Sequence, residues 1–176
     1  DDGNLNASAI IPTITPVMVV GYHQNKIYYG LNNRYEIFVS DLKGQKFPGF
    51  SLIRDQRPVT KKEKEDFMVA LVKGLAHPEI ARRLAKTLPD HETYFQDIQS
   101  HGNFLYVNRS HFPPRNIQQI DIFTSQGKFL YRAFIKVEEG HTIISAPTIK
   151  NDHIYLSIED EEGEIVVTKY KTVLPD

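Results

Sequence analysis

Apolar and polar positions alternate along this chain in short runs, and the runs recur in sets. Val17 to Tyr22, Lys26 to Gly30, Tyr35 to Ser40 and Phe47 to Ile53 make one set. Tyr94 to Ile98, Asn103 to Val107, Ile117 to Phe123 and Phe129 to Ile135 make a second. Ala146 to Ile149, His153 to Ser157 and Glu164 to Lys171 make a third, which stops after three runs. A period of two sends successive side chains to opposite faces of a strand. Ile37 therefore shares a face with Val39, Ile120 with Ile122, and Val166 with Thr168 and Tyr170. Polar turns at His23-Gln24-Asn25, Ser100-His101-Gly102 and Lys150-Asn151-Asp152 join the first two runs of each set, so each set opens as a hairpin. Gly44 and Gly127 occupy matching turns after the third run, where positive φ is needed. Pro48 and Gly49 mark the fourth run of the first set as an outer edge strand.

Four antiparallel strands, repeated, predict an all-β fold: a β-propeller of about three four-stranded blades. The interval from Tyr106 to Tyr155 is close to the ~40–50 residues of known blade repeats. The interval from Tyr28 to Tyr106 is longer because residues 56–90 read as a helical insertion. Thr60 and Glu63 form a capping box, and Phe67, Met68, Leu71, Val72 and Leu75 follow at helical spacing. Gly74 ends that helix; Pro78 starts a second, which Pro89 stops. The apolar stripe is expected to pack on the propeller. The whole chain, 1–176, thus divides into an outer strand of a preceding blade (4–11), a blade (17–54), the insertion (56–90), a blade (94–135) and an incomplete blade (143–173). A ring needs at least ~4 blades. The expectation is a longer natural chain, or a homodimer closing a six-bladed ring in which each N-terminal strand completes the other chain's last blade.

Composition narrows the classes. Of 176 residues, 40% are hydrophobic and 24% charged, as in ordinary globular domains. A net charge of −1 provides no field that would recruit nucleic acid. No apolar run reaches the ~18 residues of a membrane span, and no secretory signal pattern opens this chain. Without cysteine there is neither a disulfide nor thiol chemistry.

Catalytic and cofactor motifs do not emerge. The seven histidines fall in no metal-binding spacing, and His23, His101 and His153 flank equivalent turns on one rim. The acidic run from Glu159 to Glu164 reads as a solvated hairpin tip, since it departs from the oxygen spacing of a calcium loop. No Gly-x-Ser-x-Gly elbow is present. No catalytic residue, metal ligand or cofactor is assigned. The candidate binding surface is the rim formed by inter-blade and second-to-third-strand loops: Arg34, Arg109, His111, Phe112, Arg115 and His141. Arginine forks there suit a carboxylate or phosphate; the simpler role is pairing with local acids such as Glu138 or Glu159. Phe112-Pro113-Pro114 makes a stiff apolar loop suited to a protein or peptide partner. The expected function is a non-catalytic binding or assembly scaffold. The competing class is a metal-dependent propeller lyase or hydrolase with its site in the central channel.

These residues resemble the C-terminal half of bacterial six-bladed β-propellers of the NHL/TolB-like kind. The resemblance runs through Tyr35-Glu36-Ile37-Phe38-Val39-Ser40-Asp41-Leu42-Lys43-Gly44, the insertion from Pro58, Phe95-Gln96-Asp97-Ile98, Asn103-Phe104-Leu105-Tyr106-Val107, Ile120-Asp121-Ile122-Phe123 with Gly127, and Ile154-Tyr155 with Glu161-Glu162-Gly163. It implies a periplasmic or extracellular setting and, as partner, the missing half of the propeller. Some NHL-type lyases hold a metal in the channel, which is the source of the enzyme reading.

Overall fold

The computed structural model describes residues 16–74, 79, 88–109 and 116–173. The expected strand at 4–11, the second helix of the insertion, and His111, Phe112 and Arg115 lie outside the described residues. Blade one is β1 (Met18–His23), β2 (Lys26–Leu31), β3 (Glu36–Asp41) and β4 (Lys46–Ser51), antiparallel in that order. Helix α1 (Lys61–Gly74) follows. Blade two is β5 (Phe95–His101), β6 (Phe104–Arg109), β7 (Ile117–Thr124) and β8 (Phe129–Lys136). Blade three is β9 (Thr142–Ile143), β10 (Thr148–Lys150), β11 (His153–Glu159) and β12 (Ile165–Lys171). The architecture is all-β and propeller-like: three antiparallel sheets of four segments, their first strands gathered together, with β5 packed between β1 and β10.

Turn chemistry sets the registers. Gln24 and Asn25 (φ 46° and 63°), like Asn151 and Asp152 (50° and 55°), take the paired positive φ of a type I′ hairpin. Asp41 Oδ1 accepts the amides of Lys43 and Gln45, and Thr124 Oγ1 those of Gln126 and Lys128. Asp160 Oδ1 does the same for Glu162 and Glu164, so the acidic tip is a tight exposed turn between β11 and β12. The outer position of β4 accommodates Pro48, which has no amide to donate. Close approach matters at Gly21: a Cβ there would stand 2.5 Å from the Ile98 carbonyl oxygen, so β1 and β5 touch only because the side chain is absent.

Two apolar layers hold the blades together. Val19, Tyr28, Tyr35, Ile37 and Val39 meet Phe95, Ile98, Leu105, Val107 and Phe123 between blades one and two. Tyr106, Ile120 and Ile122 meet Ile149, Ile154, Leu156 and Ile158 between blades two and three. Each such side chain contributes roughly 1.5–3 kcal/mol of burial. Blade two is covered on both faces, so β7 is buried from Gln118 through Phe123.

Blade three departs from the sequence reading at its first strand. That strand is broken: Thr142–Ile143 and Thr148–Lys150 both pair with β11, and residues 144–147 interrupt the ladder. Pro147 lacks an amide hydrogen, and Gln99 of β5 fills the gap. Its Nε2 donates to the Pro147 carbonyl, and its Oε1 accepts from the Ile149 amide at 2.8 Å. Blade three therefore has three strand positions built from four segments, and among the described residues nothing pairs with the outer edge of β12.

The insertion rises from a two-stranded foot. Pro58 bridges His91, the Val59 amide donates to Asp90, and the Glu92 amide donates to Arg57. The capping box forms as expected: Thr60 N donates to Glu63 Oε2 and Glu63 N to Thr60 Oγ1.

Candidate functional site

Polar groups concentrate in the cleft between blades one and two. Alternation sends Gln119 and Asp121 of β7 towards blade one, while Ile120 and Ile122 face blade three. Asp121 is 1% exposed. Its Oδ2 accepts from the Tyr35 hydroxyl at 2.9 Å and lies 3.4 Å from Arg54 Nη1. Its Oδ1 accepts from Arg132 Nε at 2.7 Å and Gln119 Nε2 at 3.2 Å. Cross-strand register places Arg132 directly opposite Asp121. Burial, then the Asp121 carboxylate, pushes the Tyr35 hydroxyl far above its ordinary range, so it remains a donor. Burial, then the Arg132 charge, lowers Arg54, while the hydrogen bond to Asp121 raises Arg132.

Arg109, at the end of β6, joins the same network. Its Nη1 donates to Gln119 Oε1 at 3.1 Å, and Arg54 Nη2 donates to that same oxygen at 3.0 Å. The cleft lies under the foot of the insertion, where Arg57 holds Glu92 at 2.6 Å and Glu63 at 2.8 Å. The Glu92 hydrogen bond raises the Arg57 guanidinium.

Of the six rim residues named from sequence, Arg34, Arg109 and His141 are described. Arg34 lines a cavity of about 360 Å³ on the far side of blade one, beside Met18, Tyr29, Leu31, Glu36 and Phe38. Arg109 works in the cleft instead, so the two arginines serve opposite faces of the blade. Neither makes an ion pair among the described residues. His141 sits in the loop after β8, its Nδ1 3.4 Å from the Glu139 carbonyl. Sequence reasoning missed Tyr35, Arg54, Gln119, Asp121 and Arg132. On the opposite rim, His101 meets Asp152 Oδ1 at 2.9 Å and His23 is buried. Among the described residues, no three potential ligands converge for a metal.

The far face of blade one is apolar and uncovered among the described residues. Met18, Val20 and Tyr22 of β1 are each more than half exposed. They stand opposite Leu31, Tyr29 and Ile27 of β2, and Tyr29 stacks at 5.7 Å on Phe38 of β3. The far face of blade three is mixed: Lys150, His153, Ser157, Lys169 and Lys171 share it with Tyr155, Ile165 and Val167.

Three antiparallel sheets packed face to face, first strands together, define a β-propeller-like protein. No protein-family model matches the chain, and no curated protein does. Among solved structures it is similar to Citrobacter koseri AztD, at 13% identity and a TM-score of 0.36, over 92% of this chain and 36% of that one. The chain thus spans little more than a third of that neighbour's length. No helix among the described residues is long and apolar enough to cross a membrane.

Proposed function

We propose that the chain is a binding and assembly scaffold whose blade-one face receives a further propeller blade. The observation that carries this reading is the apolar sheet face of Met18, Val20, Tyr22, Leu31 and Phe38, exposed among the described residues, with half-buried Tyr29 between them. Among the described residues, both contacts between blades pair sheet faces of this composition, Val19–Tyr28–Ile37 against Phe95–Ile98 and Ile120–Ile122 against Ile154–Leu156. An open face of the same kind calls for the same kind of cover. The covering blade belongs to a second copy or to further propeller chain. In either case the complete object is a ring, read here as six-bladed and NHL/TolB-like in an exported, periplasmic protein.

The test is a charge on that face. Val20→Lys adds an ammonium where the residue is 57% exposed and little native packing is lost. The expected result is unchanged secondary structure with weakened self-association and reduced binding of an apolar dye. A variant that associates and binds dye like the parent would sink the reading.

A further inference from the structure

The cleft between blades one and two holds three arginines around one carboxylate. Arg132 takes Asp121 at 2.7 Å and Arg54 lies 3.4 Å from it. Arg109 takes no carboxylate among the described residues. It shares a single amide oxygen, Gln119 Oε1, with Arg54, at 3.1 and 3.0 Å. Two guanidiniums thus face each other across a neutral acceptor. An amide oxygen carries only a partial charge, and like charges in a partly dry site repel more strongly than in water. The Glu92 carboxylate, whose charge also acts on Arg54, is engaged by Arg57.

Donors remain on both cations. A guanidinium has five N–H groups; among the described residues Arg109 uses one, on Gln119, and Arg54 uses two, on Asp121 and Gln119. Access is from the rim, where Arg109 is half-buried and the Arg132 side chain is 34% exposed. Gln119 anchors the floor and is 3% exposed, and Gln118, on the other face of β7, is 0% exposed. The Gln118 amide donates to the Arg109 carbonyl at 3.2 Å, which fixes where Arg109 leaves its strand.

We propose that Arg54 and Arg109 form an oxyanion-binding site that takes a carboxylate or phosphate group at the mouth of this cleft. The anion supplies the charge that Arg109 lacks and that Arg54 shares with Arg132 on Asp121, through the fork geometry that arginine offers to both groups. The site is separate from the apolar face of blade one and does not depend on that face being covered.

The experiment is calorimetric titration of the intact chain with inorganic phosphate and, separately, succinate, in chloride buffer at fixed ionic strength. The parent is expected to bind at least one of them: phosphate alone marks a phosphate ligand, and succinate alone a carboxylate. Arg109→Met is expected to weaken that binding by about tenfold or more. Gln119→Glu, which sets a resident carboxylate between the guanidiniums, is expected to abolish it. Arg34→Met, on the other face, is expected to bind like the parent. Each variant's fold is checked by circular dichroism, so loss of binding is read only in folded protein. If the parent binds neither anion, or folded Arg109→Met binds as tightly as the parent, the proposal is overturned.

Discussion

Asp121 is shared by Tyr35, Arg54, Arg132 and Gln119, so neutralising it would leave two partly buried cations facing an amide. Asp121→Asn is expected to cost about 3–5 kcal/mol, the range for breaking a buried ion pair from one side. Urea unfolding measures it, and a loss below about 1 kcal/mol would mean that the network is dispensable. His23 makes a second residue-scale prediction. Burial, then the Lys26 charge, lowers its folded pKa below 6.5. The unfolded chain then binds more protons below pH 6.5, so this contribution is present above that pH and fades as pH falls through the folded value. His23→Gln should therefore lose less stability than the parent between pH 7.5 and pH 5.5, and parallel profiles would contradict the assignment. At this scale the sequence was least readable. Period two marks Gln119 and Asp121 as one polar face of a strand, which ordinarily looks into water. Only the cover that blade one lays over that face converts it into a buried network. Arg54 lies beyond the end of β4, outside any pattern that would have paired it with Asp121.

Elements were far more legible, because alternation and turn residues act locally. The first two sets of runs became β1 to β8 with end shifts of at most three residues, and the Thr60–Glu63 cap formed at the helix start. The exception, β9, is two residues long and separated from β10 by Pro147, too short for any alternation to register. Pairing with β11 places it in the sheet, and Gln99 on a different blade holds the start of β10. The matching Gly turns allow a controlled comparison. Gly44 and Gly127 have φ of 84° and 85°, so alanine strains the backbone equally at both, by about 1–2 kcal/mol. A Cβ at Gly44 meets open space, whereas at Gly127 it would stand 2.4 Å from Phe50. Gly127→Ala should therefore destabilise more than Gly44→Ala, by a further ~1–3 kcal/mol of overpacking. Equal thermal shifts would show that Phe50 moves aside freely.

For the molecule as a whole, repetition in the sequence gives the blades, and the packing gives their mutual contacts. What repetition could not show is how unlike the two outer faces are. Blade one presents Val20, Tyr29 and Phe38, whereas blade three presents Lys150, Lys169 and Lys171 interleaved with Ile165 and Val167. The first composition suits contact with another sheet, whereas the lysines of the second suit water. The central claim is that blade one's face is built to be covered. Light scattering on the isolated chain tests it most directly, with Val20→Lys measured alongside at the same concentration. The account predicts a particle heavier than one 20.2 kDa chain, which returns towards that mass in the variant. A parent that stays at 20.2 kDa across the concentration range, with no apolar dye bound, would contradict it.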